Sequence, residues 1–391
     1  MLSHQVASLN LQPNNLTEFR VSPLILEVRS DNLTYPIPML NLLHLLIAFE
    51  VTTLQCIAQV EVSLENHTRP TSNISREPII NEFNYQEAVR FTDNAAMAWQ
   101  KSRKCVTCHT NGLYLVTRPA AGTNSPAYKA ARIFTQDYLR KNIDLLNKPK
   151  KNRGIEGIVA STAFLAISDI KTNQKLGEVT KQALDYAWSK QDKSGAWENW
   201  LKCNWGPYES DNHFGVTLVA LAAGMALDDP YFKTVKAREG VQKIKAYLAK
   251  YAPESLHQMG MMLWASAHFP ALANKEQITQ WRASLLKAQK KDGGWVLIEL
   301  GNGAWKREDN KPQSKETDGY ATAFAVHVLT ESGVARSDPR LVRGRQWLKD
   351  HQRESGRWYT NSPRRNTKHY ISHAATNLAL LALAKDKEPA K

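Results

Sequence analysis

Amphipathic and continuously apolar segments alternate along the C-terminal two-thirds of the chain. In the first kind, apolar residues recur at three- and four-residue intervals, which predicts a helix with one buried face. The second kind is apolar on nearly every side, which is typical of a buried helix. Segments of the second kind span residues 157–166, 215–226, 259–267, 319–329 and 374–383. No alternating strand pattern follows residue 85, so the pattern predicts an all-α fold.

Three motifs with the spacing Gln-x3-Gly-x-Trp separate these segments, and they begin at Gln191, Gln289 and Gln352. With 19 Gly and 11 Trp in the chain, chance predicts roughly 0.03 copies, so the motifs are a repeat. The Gly supplies the left-handed conformation that ends a helix, and the Trp can fold back on the helix end. The motif is therefore a stability device to which we assign no chemistry.

Alternating amphipathic and apolar helices close naturally into a ring of two layers, with the apolar helices inside. We predict an α/α toroid of about five helical hairpins, and a sixth if residues 85–145 form another. Residues 85–104 are then an additional outer helix. The toroid domain is assigned to residues 151–391, and an N-terminal helical segment, residues 85–150, precedes it.

Composition and charge narrow the class of protein. The 391 residues include 51 Lys and Arg against 37 Asp and Glu, which gives a net charge of +14. The 42% hydrophobic content excludes a wholly disordered chain, and four cysteines are too few for a disulfide framework. The basic residues are dispersed and no nucleic-acid-binding signature is present. We expect no nucleic-acid partner, and peripheral association with an anionic membrane surface stays open.

The N-terminal region contains a short apolar run at residues 39–49, followed by small residues up to Ala58. This arrangement resembles a signal peptide spanning residues 39–58. It predicts export to the periplasm or another compartment outside the cytoplasm. Residues 1–38 are interpreted as a non-native or disordered extension, and the polar residues 59–84 as a linker. The alternative is a buried helix near the N-terminus.

The motif Cys105-Val-Thr-Cys108-His109 is the part of the sequence that indicates a bound cofactor. Cys-x-x-Cys-His is the attachment motif of c-type haem, in which two thiols form thioethers and the imidazole ligates iron. With four Cys and 11 His, its chance occurrence is about one in a thousand. A redox dithiol and half of a zinc site are the alternatives. Export supports haem c, because covalent attachment generally occurs outside the cytoplasmic membrane.

The sequence offers several candidates for the ligand on the far side of the haem iron. The sixth iron ligand is absent or is one of His213, His257, Met259, Met261 and Met262. In a ring of this kind, the N-terminal ends of the inner helices border the centre. The polar residues at those ends are Glu156, His213, His257, Asp318 and His373. They are candidates to hold a haem face, a metal or an acid–base pair, and helix capping is the alternative role for Asp318.

The Gln-Gly-Trp repeats resemble the QW motifs of squalene–hopene cyclases, within the α/α-toroid superfamily that includes prenyltransferases. The resemblance covers about residues 155–385. Cys105–Tyr114 followed by such repeats resembles a bacterial cyclase-repeat subgroup that carries a haem-type motif. The chain departs from both enzyme classes: it lacks the Asp-x-Asp-Asp acid of the cyclases and the Asp-x-Cys zinc pair of the prenyltransferases. The resemblance therefore implies the fold, and it implies a protein that is not a true triterpene cyclase.

Three functions compete at this point. The first is an exported toroid with covalent haem that exchanges electrons with a redox partner protein, or acts on a lipophilic, isoprenoid-like molecule. The second is a terpene cyclase-like enzyme. The third is a non-catalytic binding scaffold in which the Cys-x-x-Cys-His motif is structural or binds a metal. If the protein is an enzyme, we expect a haem-dependent oxidoreductase.

Overall fold

The computed structural model describes residues 61–146, 154–197, 200, 203–208, 211–366 and 370–384. In these ranges the chain forms α-helices, short 3₁₀-helices and isolated β-bridges, and the predicted all-α fold is confirmed. None of the helices there is both long and apolar enough to cross a membrane. The predicted extension at 1–38 and signal peptide at 39–58 lie outside the described residues.

Thirteen α-helices occur in the described ranges. In chain order they are α1 (Tyr85–Arg103), α2 (Asn111–Thr117), α3 (Pro126–Leu146), α4 (Ile155–Asn173), α5 (Glu178–Ser189), α6 (Asn212–Met225), α7 (Val235–Lys250), α8 (Leu256–His268), α9 (Lys275–Lys287), α10 (Leu297–Leu300), α11 (Gly319–Glu331), α12 (Pro339–Asp350) and α13 (Tyr370–Leu383).

Six of these helices form the inner layer of a closed ring. Neighbours pack in the order α2, α4, α6, α8, α11 and α13, and α13 returns to pack against α2. The outer helices α1, α3, α5, α7, α9 and α12 each precede one inner helix in the chain. The ring therefore has six hairpins, and the first of them is built from α1 and α2. The predicted outer helix at 85–104 is confirmed as α1.

The Gln-Gly-Trp motifs fasten each outer helix to the next. Gly195, Gly293 and Gly356 have φ between +85° and +95°, and a Cβ at any of them would collide with the backbone of the following outer helix. Each Trp is at most 1% exposed and donates its indole N–H to a carbonyl in the last turns of the preceding helix, at 2.7–2.9 Å. The structural role predicted for the motif is confirmed.

Gln352 closes the ring. Its side-chain amide donates to the carbonyl oxygens of Gly356 (3.1 Å) and Asn84 (2.9 Å), and its Oε1 accepts from the Asn84 N–H at 2.8 Å. Asn84 is the N-cap of α1. The last motif in the sequence therefore binds the start of the first helix, as Gln289 binds α12 through the carbonyl of Arg340.

We expect Gln352→Ala to lower the free energy of unfolding by about 2 kcal/mol, because three hydrogen bonds of a fully buried amide are lost. The matched control is Gln289→Ala at the equivalent position, where the amide is half-buried and water can replace it. That variant should lose at most about 1 kcal/mol. Urea denaturation followed by circular dichroism measures both values. Equal losses would contradict a special role for ring closure.

Residues 61–84 are the described part of the linker predicted at 59–84. They contact the last hairpin and also the first, where the Thr68 N–H donates to the side chain of Asn94 at 2.7 Å. Arg357 is 1% exposed. Its guanidinium forms an ion pair with Glu77 and donates to the carbonyl oxygens of Thr71 (2.9 Å) and Ser72 (2.6 Å). Arg353 donates to the carbonyl of Glu77 at 2.7 Å. This segment is consequently held to the ring by buried polar contacts.

Candidate functional site

The Cys-x-x-Cys-His motif occupies the loop between α1 and α2. Lys104 ends α1 in a left-handed conformation with φ of 54°. Asn111 then closes the loop: its amide donates to the carbonyl of Cys105 at 3.0 Å, and its Oδ1 accepts from the Thr107 N–H at 3.0 Å. A Cβ on Gly112 would lie 2.6 Å from the Thr107 carbonyl oxygen. The loop geometry therefore depends on the Asn111-Gly112 pair that follows the motif.

His109 lies in an aromatic environment at the mouth of the ring. Its imidazole is 8% exposed and packs against Tyr370, with ring centroids 4.4 Å apart, and against the edge of Trp99 at 4.9 Å. Its Nδ1 is 2.9 Å from the hydroxyl of Thr110, which is also 3.1 Å from Nδ1 of His373. One hydroxyl thus bridges two buried histidines that are 264 positions apart in the sequence.

The two thiols are half-buried beside Tyr138. Burial raises the pKa of the Tyr138 phenol, and the nearby Cys105, Glu156 and Cys108 raise it further. Tyr138 also forms part of the wall of a groove between α1 and α3, whose volume is about 760 Å³. The groove contains Phe134 as a second aromatic wall, and three lysines, Lys101, Lys104 and Lys141, surround it.

Covalent haem requires two reachable thiols, an imidazole and room for a porphyrin. Cys105 and Cys108 meet the first requirement because both are partly exposed, and the Thr110 hydroxyl orients His109 through Nδ1, as hydroxyl or carbonyl partners do for ligating imidazoles. The groove volume lies within the range of cofactor sites. The donor set fits the group. Cys105, Cys108 and His109 do not line the groove themselves, and Cys108 lines the central cavity of the ring instead.

The centre of the ring is nearly filled. Its cavity between described residues measures about 20 Å³, which is room for a single water molecule. Apolar side chains form most of its wall, together with Cys108, Tyr208 and Tyr320. Met261 is the one proposed sixth ligand in the described wall of this cavity, and it shares the cavity with Cys108. An isoprenoid substrate would need a volume more than ten times larger.

The five cavity candidates all occupy the first turn or N-cap of an inner helix. Glu156, His213 and His257 are the second residues of α4, α6 and α8, Asp318 caps α11, and His373 is the fourth residue of α13. The described wall of the central cavity contains none of them. The structure brings His373 to His109 through Thr110. Of the other four, His213 lies close enough to His257 to lower its pKa.

Each of those four has its own environment. Burial lowers the pKa of His257 to about 3, and its Nε2 is 3.0 Å from the hydroxyl of Tyr320. Burial raises the pKa of Asp318 to about 7. The N–H groups of Ala321 and Leu297 donate to its carboxylate and lower the pKa, but by less than burial raises it. Burial also raises the pKa of Glu156 and lowers that of His213. Asp318 therefore acts as a helix cap, the alternative role considered for it.

Other proposed ligands are dispersed. Met262 is 1% exposed and Met259 is half-buried, both on α8. Among the described residues, no three His, Cys, Asp or Glu side chains converge in a way that could hold a metal ion. Sequence reasoning missed Thr110, Asn111 and Gly112 as supports of the motif. The Asn-Gly dipeptide is a turn signal that could have identified two of them.

Comparison with known proteins gives likenesses of fold. No family model matches the chain, and no curated protein matches it. A solved structure of a UGL variant with dGlcA-Glc-Rha-Glc has a TM-score of 0.49 and 14% identity, over 77% of this chain and 97% of that one. A variant of the type II terpene cyclase MstE from Scytonema, with geranylgeranyl dihydroxybenzoate, has a TM-score of 0.43 and 13% identity, over 77% and 98%. The arrangement of its own helices, six hairpins in a closed ring, makes this chain an α/α toroid.

Proposed function

We propose that this protein is an exported, c-type haem-binding α/α toroid that exchanges electrons with a redox partner protein. Cys105 and Cys108 would hold haem c covalently, and His109 would be the proximal iron ligand. The observation that carries the proposal is the Cys-x-x-Cys-His loop itself: both cysteines are partly exposed and lie near Tyr138, which forms part of the wall of a groove of about 760 Å³. The bound group would supply one-electron chemistry.

The residues of the chain then have distinct tasks. Asn111 holds the loop that carries the thiols through its contacts with Cys105 and Thr107. The hydroxyl of Thr110 sets the orientation of the His109 ring. Around the groove, the three lysines named above outnumber the two acidic residues of the wall, Glu65 and Asp137, by one. Packing by Trp99 and Tyr370 excludes water from His109.

The interior of the ring does not support the cyclase alternative. A cavity of about 20 Å³ has no room for a terpene precursor, and its described wall is dominated by aromatic and aliphatic side chains. We therefore leave the lipophilic ligand out of the proposal. The ring acts as a rigid frame that holds α1 and α2, and hence the motif, in place.

The decisive experiment is expression of the full chain in a host with haem-maturation machinery. We expect a haem-stained band that survives denaturing electrophoresis, together with Soret absorption. Cys105→Ser and Cys108→Ser should each lose one thioether and lower the covalent haem content, and the double variant should have none. The matched control is Cys203→Ser, at a half-buried cysteine outside the motif, which should retain full staining.

His109→Ala tests the iron ligand separately. It should keep the covalent attachment and change the position of the Soret band, because the axial ligand is lost. Colourless wild-type protein from a host that matures a reference cytochrome would refute the proposal. A band that is equally strong in the double cysteine variant would refute the assignment of the thiols.

A further inference from the structure

A second polar pocket lies at the N-terminal end of α6, away from the Cys-x-x-Cys-His loop in the fold. Its volume is about 300 Å³, at the lower limit of small-molecule sites. The first turn of α6, the end of α7 and the start of α8 surround it. Its wall consists of Asp211, Asn212, His213, Tyr247, Tyr251, Ala252, Glu254 and Gln258.

Two buried polar groups in this wall have no hydrogen-bond partner in the described part of the chain. His213 is only 5% exposed, and neither of its ring nitrogens has a partner at both hydrogen-bond distance and angle, although the main chain of Tyr251 lies close to the imidazole. The side-chain oxygen of Asn212 is buried and unpartnered as well. Leaving such a group unsatisfied costs about 1–3 kcal/mol, and native proteins rarely do so. Two of them in one pocket indicate a ligand that donates hydrogen bonds.

The charge of the pocket indicates the sign of that ligand. Among the described residues, its wall contains two carboxylates, Asp211 and Glu254, and no Lys or Arg, in a chain whose net charge is +14. The Asp211 carboxylate is held in position, since it accepts from the Phe214 N–H at 2.9 Å and from the Gln258 amide at 3.0 Å. A cation entering this pocket would meet a fixed negative charge.

Burial lowers the pKa of His213, although Asp211 and the main chain of Tyr251 oppose the shift. The imidazole is consequently neutral near pH 7, so that one of its nitrogens is a hydrogen-bond acceptor. Two aromatic rings complete the wall: Tyr247 and Tyr251 lie with their centroids 4.6 Å apart. The ammonium group of the neighbouring Lys250 lies 5.1 Å from the centroid of the Tyr251 ring, within the range of a cation–π contact.

We propose that this pocket binds the primary ammonium group of a small organic amine. Asp211 and Glu254 supply the charge, and Asn212 and His213 supply the acceptors. A primary ammonium carries three N–H donors, which matches the surplus of acceptors, whereas a quaternary ammonium carries none. The site involves neither thiol nor His109, so it stands or falls independently of haem attachment.

The test uses the full chain and three probes of similar size, with binding measured by calorimetry at pH 7.5. Saturable binding of n-butylammonium is expected, with binding of tetramethylammonium and n-butanol at least tenfold weaker. Asp211→Asn should weaken n-butylammonium binding at least tenfold, because Asn keeps the helix cap and removes the charge. His213→Phe should also weaken it by removing the acceptor.

Asp338→Asn is the matched control, since Asp338 is the N-cap of α12 and the same change is made at a distant helix start. Its affinity for n-butylammonium should equal that of the wild type. Glu254→Gln provides a further removal of charge at an exposed position, where the fold is not at risk. Absence of binding to the wild type, or equal affinity in the wild type and Asp211→Asn, would overturn the proposal.

Discussion

Arg357→Met is expected to lower the free energy of unfolding by about 3–5 kcal/mol, because it leaves the buried carboxylate of Glu77 without its cation. The Arg357 side chain is 1% exposed and that of Glu77 11%. The Met side chain preserves most of the volume, so the loss reports the ion pair and the hydrogen bonds to Thr71 and Ser72. Urea denaturation measures the change.

The same variant should weaken the contact of residues 71–77 with the ring. Limited proteolysis is therefore expected to cleave this segment faster in Arg357→Met than in the wild type. The matched control is Arg340→Met, which removes an arginine from the solvent-exposed pair with Asp338, 2.8 Å apart. Such pairs contribute about 0–1 kcal/mol. An equal loss of unfolding free energy in both variants would show that the buried contact between the segment and the ring stabilises the protein no more than a surface ion pair does.

Acidification is expected to destabilise the protein through His257. The pKa of this imidazole is about 3 in the folded protein and about 6.5 in an unfolded chain. Below pH 6.5 the unfolded chain takes up a proton that the folded protein does not, so stability falls as the pH falls from 6.5 to 3. Between pH 7.5 and 4.5 the loss from His257 alone is about 3 kcal/mol.

Asp318 acts in the opposite direction, since its folded pKa of about 7 makes acidification stabilising. Comparing the pH dependence of stability in the wild type and in His257→Gln isolates the contribution of the histidine, because Asp318 and every other titratable group are common to both proteins. The variant should lose about 3 kcal/mol less than the wild type over this pH range. Tyr320→Phe removes the hydrogen-bond partner and leaves the imidazole buried, so it should keep the full acid sensitivity. Parallel pH profiles for the wild type and His257→Gln would contradict the assignment.

The outer helices and their ends could be predicted well from the sequence. A Gln-x3-Gly-x-Trp motif demands a left-handed Gly and an adjacent helix end, and both requirements are local. Gly195 and Trp197 accordingly lie where the motif predicts, with the indole bonded to the carbonyl of Ala187. The partner of each Gln could not be predicted in this way, because it lies on the next outer helix, about 50 residues away for Gln191 and 268 for Gln352.

The candidate site was harder to predict for a physical reason. Inner helices are apolar on nearly all sides, so their sequence does not indicate which face meets which neighbour. His257 and His373 both lie in the first turn of an inner helix. One meets Tyr320 and the other meets Thr110 beside the haem-type motif. Rotation of each helix about its axis decides between these outcomes, and tertiary packing sets that rotation.

The sequence by itself determined the all-α class, the repeat, the ends of the outer helices and the identity of the chemical groups at Cys105, Cys108 and His109. These features depend on residues within one or two helical turns of each other. Only the tertiary structure decided that the ring closes through Gln352 and Asn84. It also decided that the centre is filled with side chains and that His109 and His373 share one hydroxyl. Those features depend on contacts across hundreds of residues, which the packing of six hairpins brings together.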